Sequence, residues 1–176
     1  NYPTRNKSSC VGGVPVIRTL TESMQGNNIK CIMGIVNGNT NYILSKMADE
    51  GLEYETVLKE AQKLGYAEAN PTADVDGYDS MYKLSILSSL AFHTKVPIDK
   101  IYREGISNIS KLDIEYGKKF GYTLKLLAIG KKENGKIEAR VHPAFIPSDH
   151  PLAAVKESFN AVHIVGDNVG DIMLYG

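Results

Sequence analysis

The feature of this sequence that most constrains its fold is an Asn-Gly turn between two strand-like runs. The runs at 123–131 and 136–147 flank Glu133-Asn134-Gly135, and Asn-Gly is a strong signal for the tight turn of a β-hairpin. A second hairpin is predicted from 161–165 and 171–175, which are joined by a loop with a glycine at each end. The second half of the chain is therefore predicted to consist largely of antiparallel strands.

The first half of the chain has helical patterns instead. Helical patterns predict four main helices, at 14–24, between the Asn37-Gly38 turn and Gly51, at 54–64 and at 78–92. Shorter elements are predicted as a buried strand at 29–36, a strand at 103–107 and a small helix at 113–120. This order favours an α+β fold, in which a mixed, largely antiparallel sheet is covered on one face by helices, over a doubly wound sheet.

Composition excludes several classes of function. The 20 lysines and arginines balance the 20 aspartates and glutamates, so there is no electrostatic basis for binding nucleic acid or an anionic membrane. No apolar run reaches the roughly 18 residues that a membrane-spanning helix needs. Cys10 and Cys31 form no CxxC pair, and neither they nor the histidines have metal-ligand spacing. We therefore expect a reducing cytoplasm and no transition-metal site.

The chain is expected to hold one domain. Residues 1–9 are polar and aperiodic, and they are interpreted as an N-terminal segment or a remnant outside the domain. Residues 10–176 have the size of one ordinary domain. Because the sequence starts at Asn1 rather than methionine and stops just after a strand-like run, we expect it to be a piece of a longer polypeptide.

The segment 61–83 carries most of the functional signal. It contains five ionisable residues at close spacing, namely Glu68, Asp74, Asp76, Asp79 and Lys83. Asp79 and Lys83 share a face of the predicted helix, and that face continues through Ile86 and Leu90, which predicts that the lysine turns inward. An unpaired buried ammonium is expensive, so carboxylate partners are expected. Such a group can hold a substrate ammonium and transfer a proton at a hydroxyl or carbonyl.

Each of these residues also has a structural explanation. The Asp79–Lys83 pair is equally well explained as a surface ion pair worth about 0.3–0.5 kcal/mol. Asp74 and Asp76 suit loop bracing and helix capping. The polar run 37–42 is explained by a turn and a helix cap, although its amide side chains can line the same pocket as the acidic segment. The spacing of a calcium-binding EF-hand is absent, as are the glycine motifs of dinucleotide and nucleoside triphosphate sites.

The same segment resembles the signature of the homoserine dehydrogenase family. The matching positions run in the order Ala61-x3-Gly65-Tyr66-Ala67-x2-Asn70-Pro71-x2-Asp74-Val75-x-Gly77-x-Asp79-x3-Lys83. Supporting stretches lie at 12–17, 34–44, 150–152 and 160–162. The resemblance extends over nearly the whole chain, from residue 9 to residue 176.

The resemblance implies an activity and a role for several residues. Members of the family interconvert L-homoserine and L-aspartate 4-semialdehyde with NAD or NADP, in the biosynthesis of threonine and methionine. By similarity, Glu68 and Asp79 would bind the substrate amino group, and Lys83 would be the catalytic proton-transfer residue. The backbone at Gly65 would touch the cofactor. A homodimer is implied as well.

The resemblance further implies a cation site and reveals two departures. A sodium-like ion is bound in the family by main-chain carbonyls, which map onto Cys10, Gly12 and Val14. They also map loosely onto Lys7, where the family usually has a glutamate. Family members carry an N-terminal Rossmann domain, which this sequence lacks.

We therefore interpret residues 10–176 as a substrate-binding and dimerisation domain, and we predict that the chain alone is inactive. The alternatives are a non-catalytic amino-acid-binding or oligomerisation module, and a related dehydrogenase for another amino or hydroxy acid.

Overall fold

The computed structural model describes residues 10–176, so the expectations for residues 1–9 and Lys7 lie outside the described residues. One sheet of six strands forms the centre of the fold. Its strands are β1 Ile29–Ile35, β2 Tyr102–Arg103, β3 Tyr122–Glu133, β4 Lys136–Pro147, β5 Ala161–Gly166 and β6 Gly170–Tyr175. Across the sheet they lie in the order β2-β4-β3-β1-β5-β6. The short β2 is parallel to β4, and the other neighbours are antiparallel.

Helices occupy most of the first half of the described chain. They are α1 Val16–Arg18, α2 Gly38–Glu50, α3 Tyr54–Lys63, α4 Thr72–Val75, α5 Tyr78–Phe92 and α6 Lys111–Lys119. A π-helical turn, Thr19–Ser23, continues α1, and short 3-10 turns lie at Ile98–Lys100 and Pro151–Ala154. Within residues 10–176, no helix is both long and apolar enough to cross a membrane.

The predicted α+β architecture is confirmed. Buried residues of β1, β3 and β5 share one hydrophobic cluster with α2 and α5, which places these helices on the same face of the sheet. A smaller cluster on the other face is formed with the turn that starts at Pro151. The hairpin between β3 and β4 is confirmed too: Asn134 and Gly135 both have positive φ, at 50° and 76°, as a tight turn matched to the strand twist requires.

Two predicted elements differ from the structure. The strand expected at 103–107 is reduced to Tyr102–Arg103, because the chain leaves β4 after Glu104 and packs its backbone at Gly105 closely against Val75. The helix expected at 14–24 is α-helical only over Val16–Arg18 and continues as a π-helical turn over Thr19–Ser23. Thr19 and Thr21 each donate their hydroxyl to the carbonyl four residues earlier, and such back-bonding competes with a regular helix.

The end of β1 positions the candidate site. This strand lies between β3 and β5 in the middle of the sheet. Val36 and Asn37 follow it directly, both buried, and Asn37 is the N-cap of α2. The start of α5 lies beside them, as the hydrogen bonds below show, so two helix N-termini meet at the end of the central strand.

Candidate functional site

Helix α5 carries Asp79 and Lys83 on a partly exposed side and not on its core side. Its buried residues are Ser80, Leu84, Leu87, Ser88, Ala91 and Phe92. Ile86 is 47% exposed, and Tyr82 beside it is 49% exposed, so the predicted stripe through Asp79 and Lys83 is not the main core face, although Leu90 packs against the core. The two sides of α5 are hard to tell apart in sequence, because Ser80 and Ser88 lie on the buried side and Ile86 lies on the exposed side.

Asp79 and Lys83 nevertheless form an anchored pair. The Lys83 ammonium donates to Asp79 Oδ2 at 2.7 Å and to the Val36 carbonyl oxygen at 2.8 Å. Their side chains are 20% and 32% exposed, for Lys83 and Asp79 respectively. An ammonium has three donors, and these contacts use two. The pair is therefore tied to the end of the central strand, unlike a solvated surface pair, and one N–H remains to contact a ligand.

The amides after β1 join the acidic segment, as expected. Asn37 Nδ2 donates to Asp74 Oδ1 at 2.6 Å and to Asp79 Oδ2 at 2.9 Å. Asn39 Nδ2 donates to Asp74 Oδ2 at 2.7 Å, while Asn37 Oδ1 accepts from the backbone N–H of Thr40 at 2.9 Å. Asn37 thus caps α2 and contacts the Asp79 carboxylate at the same time. Asp74 braces this arrangement, which agrees with its loop-bracing role, and Asp76 accepts from the Ser107 hydroxyl at 3.1 Å.

Cys10 lies beneath this pair. It is 1% exposed, and its Sγ lies 3.9 Å from the main-chain carbonyl oxygen of Lys83. Burial raises the pKa of the Cys10 thiol, while the nearby Lys83 ammonium opposes that effect more weakly. The thiol therefore stays protonated and acts as a small buried side chain.

The other two predicted site residues lie on the loop between α3 and α4. Glu68 is exposed, and only its main-chain carbonyl is bonded, by Gln62 Nε2 at 3.1 Å, within the described part of the chain. Gly65 follows the end of α3 with φ of 81°, and a Cβ there would meet nothing within 4 Å. No hydrogen bond among residues 10–176 links either residue to Asp79 or Lys83. Both are open to a ligand.

The candidate cation loop is held together by its own backbone. The N–H of Val14 donates to the Val11 carbonyl at 3.1 Å, and the Val14 carbonyl accepts from Val16 at 2.8 Å. Gly12 is exposed, and the Asn160 amide lies beside it, with Nδ2 3.5 Å from where a Cβ would stand. The described residues include no group of three or more His, Cys, Asp or Glu side chains that could hold a metal ion.

One notable polar residue, Lys125 on β3, was not predicted. It is 2% exposed, and its ammonium donates to Asn41 Oδ1 at 3.0 Å, to Ser45 Oγ at 3.5 Å and to the Val155 carbonyl. Burial lowers its pKa to about 8, with Lys156 adding to the effect and Asp49 opposing it. The signal in the sequence is a lysine inside the apolar run Leu124–Leu127, but nothing nearby in sequence names its partners.

Comparisons with known proteins agree on one family. A family model described as "Homoserine dehydrogenase" matches residues 15–176. The homoserine dehydrogenase of Corynebacterium glutamicum is 49% identical over 175 residues, which cover 97% of this chain and 39% of the relative. The chain thus spans about two-fifths of the length of this relative.

Solved structures give the same result. A homoserine dehydrogenase from Thiobacillus denitrificans superimposes with a TM-score of 0.95 at 44% identity, over 97% of this chain and 39% of that one. A hyperthermophilic archaeal homoserine dehydrogenase mutant in complex with NADPH gives 0.80 at 34% identity, over 97% and 48%.

Proposed function

Because the chain belongs to the homoserine dehydrogenase family, we propose that it is the substrate-binding and dimerisation domain of an oxidoreductase that interconverts L-homoserine and L-aspartate 4-semialdehyde. NAD or NADP is the proposed cofactor, and threonine and methionine biosynthesis is the proposed setting. The observation that carries the proposal is the Lys83 ammonium, which Asp79 and the Val36 carbonyl hold with one donor to spare.

Lys83 is the proposed proton-transfer residue. During oxidation its neutral amine takes the proton of the homoserine hydroxyl, and during reduction its ammonium returns a proton to the aldehyde oxygen. Asp79 and the Val36 carbonyl together fix the direction of the side chain. The Lys83 ammonium is thereby held beside the end of β1.

Two carboxylates are proposed to hold the substrate amino group. Asp79 Oδ2 already accepts from Lys83 and Asn37, which leaves Oδ1 to accept from an ammonium. The Glu68 carboxylate is exposed on the neighbouring loop and can supply the second charge-assisted hydrogen bond.

The cofactor is proposed to contact this chain at one point. When bound, a nicotinamide would supply hydride transfer at C4 of the substrate. The open space around Gly65 allows a ring to approach its backbone, but the sequence offers no glycine motif for the rest of a dinucleotide. We therefore expect the chain alone to be inactive. Homoserine-dependent formation of reduced nicotinamide by the pure 176-residue chain would contradict this.

A sodium-like ion is proposed at the carbonyls of Cys10, Gly12 and Val14. Asn160 supports it, since its Oδ1 is buried and has no hydrogen-bond partner among the described residues, and its amide lies beside Gly12. A buried oxygen without a donor suits a cation.

A homodimer is proposed through the sheet face opposite the helices. Met33, His163 and Met173 lie side by side across β1, β5 and β6 and are partly exposed, and a second copy would bury them. Met173→Asp is expected to shift sedimentation from dimer to monomer.

A cytoplasmic location is proposed because both cysteines are free thiols.

Calorimetric titration of the chain with L-homoserine tests the proposed function. L-2-aminobutyrate is the matched ligand, because it keeps the amino acid part and lacks the hydroxyl that Lys83 would contact. We expect homoserine to bind more tightly and Asp79→Asn to weaken the binding of both ligands. Equal affinity for the two ligands, or unchanged binding by the variant, would contradict the assignment.

A further inference from the structure

The buried Lys125 joins three separate parts of the fold. Its own strand is β3, two of its acceptors are the Asn41 and Ser45 side chains of α2, and the third is the carbonyl of Val155. Val155 begins the segment 155–159, which leads into β5. The charged groups that bear on the ammonium are Asp49 of α2 and Lys156 of this segment, and its neighbour on β4 is the uncharged Ala144.

Asn41 continues the connection from Lys125 along this segment. While its Oδ1 accepts from Lys125, its Nδ2 donates to the carbonyls of Val155, Glu157 and Phe159 at 3.2, 2.9 and 3.4 Å. Asn41 is 1% exposed. The Lys125 ammonium therefore fixes which end of the Asn41 amide faces the segment, because only the oxygen can accept its proton.

The segment in turn packs against the first turn of α2. A Cβ at Gly38 would overlap the Ser158 carbonyl oxygen, so the two backbones are in direct contact there. Asn37 precedes Gly38, its main-chain carbonyl accepts from the N–H of Asn41, and its side chain donates to Asp79. A continuous series of contacts thus runs from Lys125 to the candidate site.

We propose that Lys125 is a positioning residue of this site: by holding the segment 155–159 against Asn41 and the first turn of α2, it orients the Asn37 side chain that binds Asp79. The proposal rests on the proposed function, since it takes the Asp79–Lys83 pair as the reacting site. A flexible side chain with three donors suits this position, because its acceptors are a carbonyl, an amide and a hydroxyl on different elements. An apolar residue would fill the space without directing any of them.

Amide hydrogen exchange in Lys125→Met tests the positioning directly. Methionine keeps a similar length without the donors, and Lys131→Met is the matched control, because it removes an exposed lysine from the same strand. We expect protection of the Thr40 and Asn41 amides to fall roughly tenfold in Lys125→Met beyond any loss of global stability, with no change in the control. Lys125→Gln keeps a shorter donor, so its amide protection is expected to lie between that of Lys125→Met and that of the unmodified chain. It replaces Lys125→Met in the test if the methionine variant does not fold.

Homoserine affinity is the second readout. In Lys125→Met it is expected to fall several-fold while the protein remains folded, whereas a purely structural lysine would change stability and leave the affinity of the folded protein alone. Unchanged local exchange at Thr40 and Asn41, or altered exchange with unchanged affinity, overturns the proposal. If the unmodified chain binds no homoserine, the proposed function is at fault, and the exchange result alone decides whether Lys125 orients Asn37.

Discussion

Two lysines in this molecule have a partly or fully buried ammonium group, and the groups that accept its hydrogen bonds differ between them. Lys83 has a carboxylate within 2.7 Å and lies where its side chain is 20% exposed. Lys125 is 2% exposed, and its hydrogen-bond partners are all uncharged. The first keeps a donor towards solvent, which suits chemistry, whereas the second directs its contacts into the fold, which suits positioning. Burial alone therefore does not mark the lysine that reacts.

The largest expected effect tests whether Lys83 is the reacting lysine. In a longer polypeptide that carries this chain with a nicotinamide-binding domain, Lys83→Met is expected to lower kcat about a thousandfold, because a positioned general acid–base contributes about 10²–10⁴. KM for homoserine should change little. Steady-state kinetics measure both, and Lys95→Met, an exposed lysine beyond α5, is the control. Full activity of Lys83→Met would remove the distinction between the two lysines.

The next effect is expected at Lys125, and it depends on pH. Its pKa is about 8 in the fold against 10.5 ordinarily, so between these values the unfolded chain binds more protons and stability rises with pH. Relative to Lys125→Met, the free energy of unfolding of the unmodified chain should rise by about 3 kcal/mol as the pH increases across that window. Urea unfolding across the window measures it, with the exposed Lys131→Met on the same strand as control. A constant difference between the two proteins would show that the ammonium is not desolvated.

A smaller effect is expected where the surroundings of the two lysines meet. Gly38→Ala would press its Cβ into the Ser158 carbonyl, and overpacking of this kind costs about 1–3 kcal/mol. Gly26→Ala is the control, because a Cβ there meets nothing within 4 Å. Urea unfolding measures both. An equal, small change in the two variants would mean that the segment 155–159 yields easily, and that the contact from Lys125 to Asn37 is loose.

The smallest effect concerns the exposed carboxylate. Glu68→Gln is expected to weaken homoserine binding roughly tenfold, because it removes the charge from one hydrogen bond to the substrate ammonium. Asp79→Asn should weaken it more, since Asp79 also holds Lys83. Calorimetry compares the two, with the exposed Glu55→Gln as control. A larger loss at Glu68 than at Asp79 would reverse the assignment of the main substrate carboxylate.

The sequence predicts best what depends on near neighbours. The turn at Asn134-Gly135 requires two adjacent positive φ angles, and the Asp79–Lys83 pair follows from one helical turn, so both are visible in short windows. The core face of α5 was predicted only in part, because Ser80 and Ser88 are buried while Ile86 of the predicted stripe is exposed. The partners of Lys125 lie 84, 80 and 30 residues away, and no local pattern encodes such contacts.

The position of β1 also governs how the chain acquires its structure. Among the six described strands β1 comes first in the sequence, yet both its neighbours, β3 and β5, come from the second half. Pairing over such separations requires closing long loops before any ladder forms, and domains rich in non-local pairs fold slowly. Because β1 can join the sheet only after β3 and β5 have been synthesised, we expect the end of β1, where the Val36 carbonyl holds Lys83, to be completed late in folding.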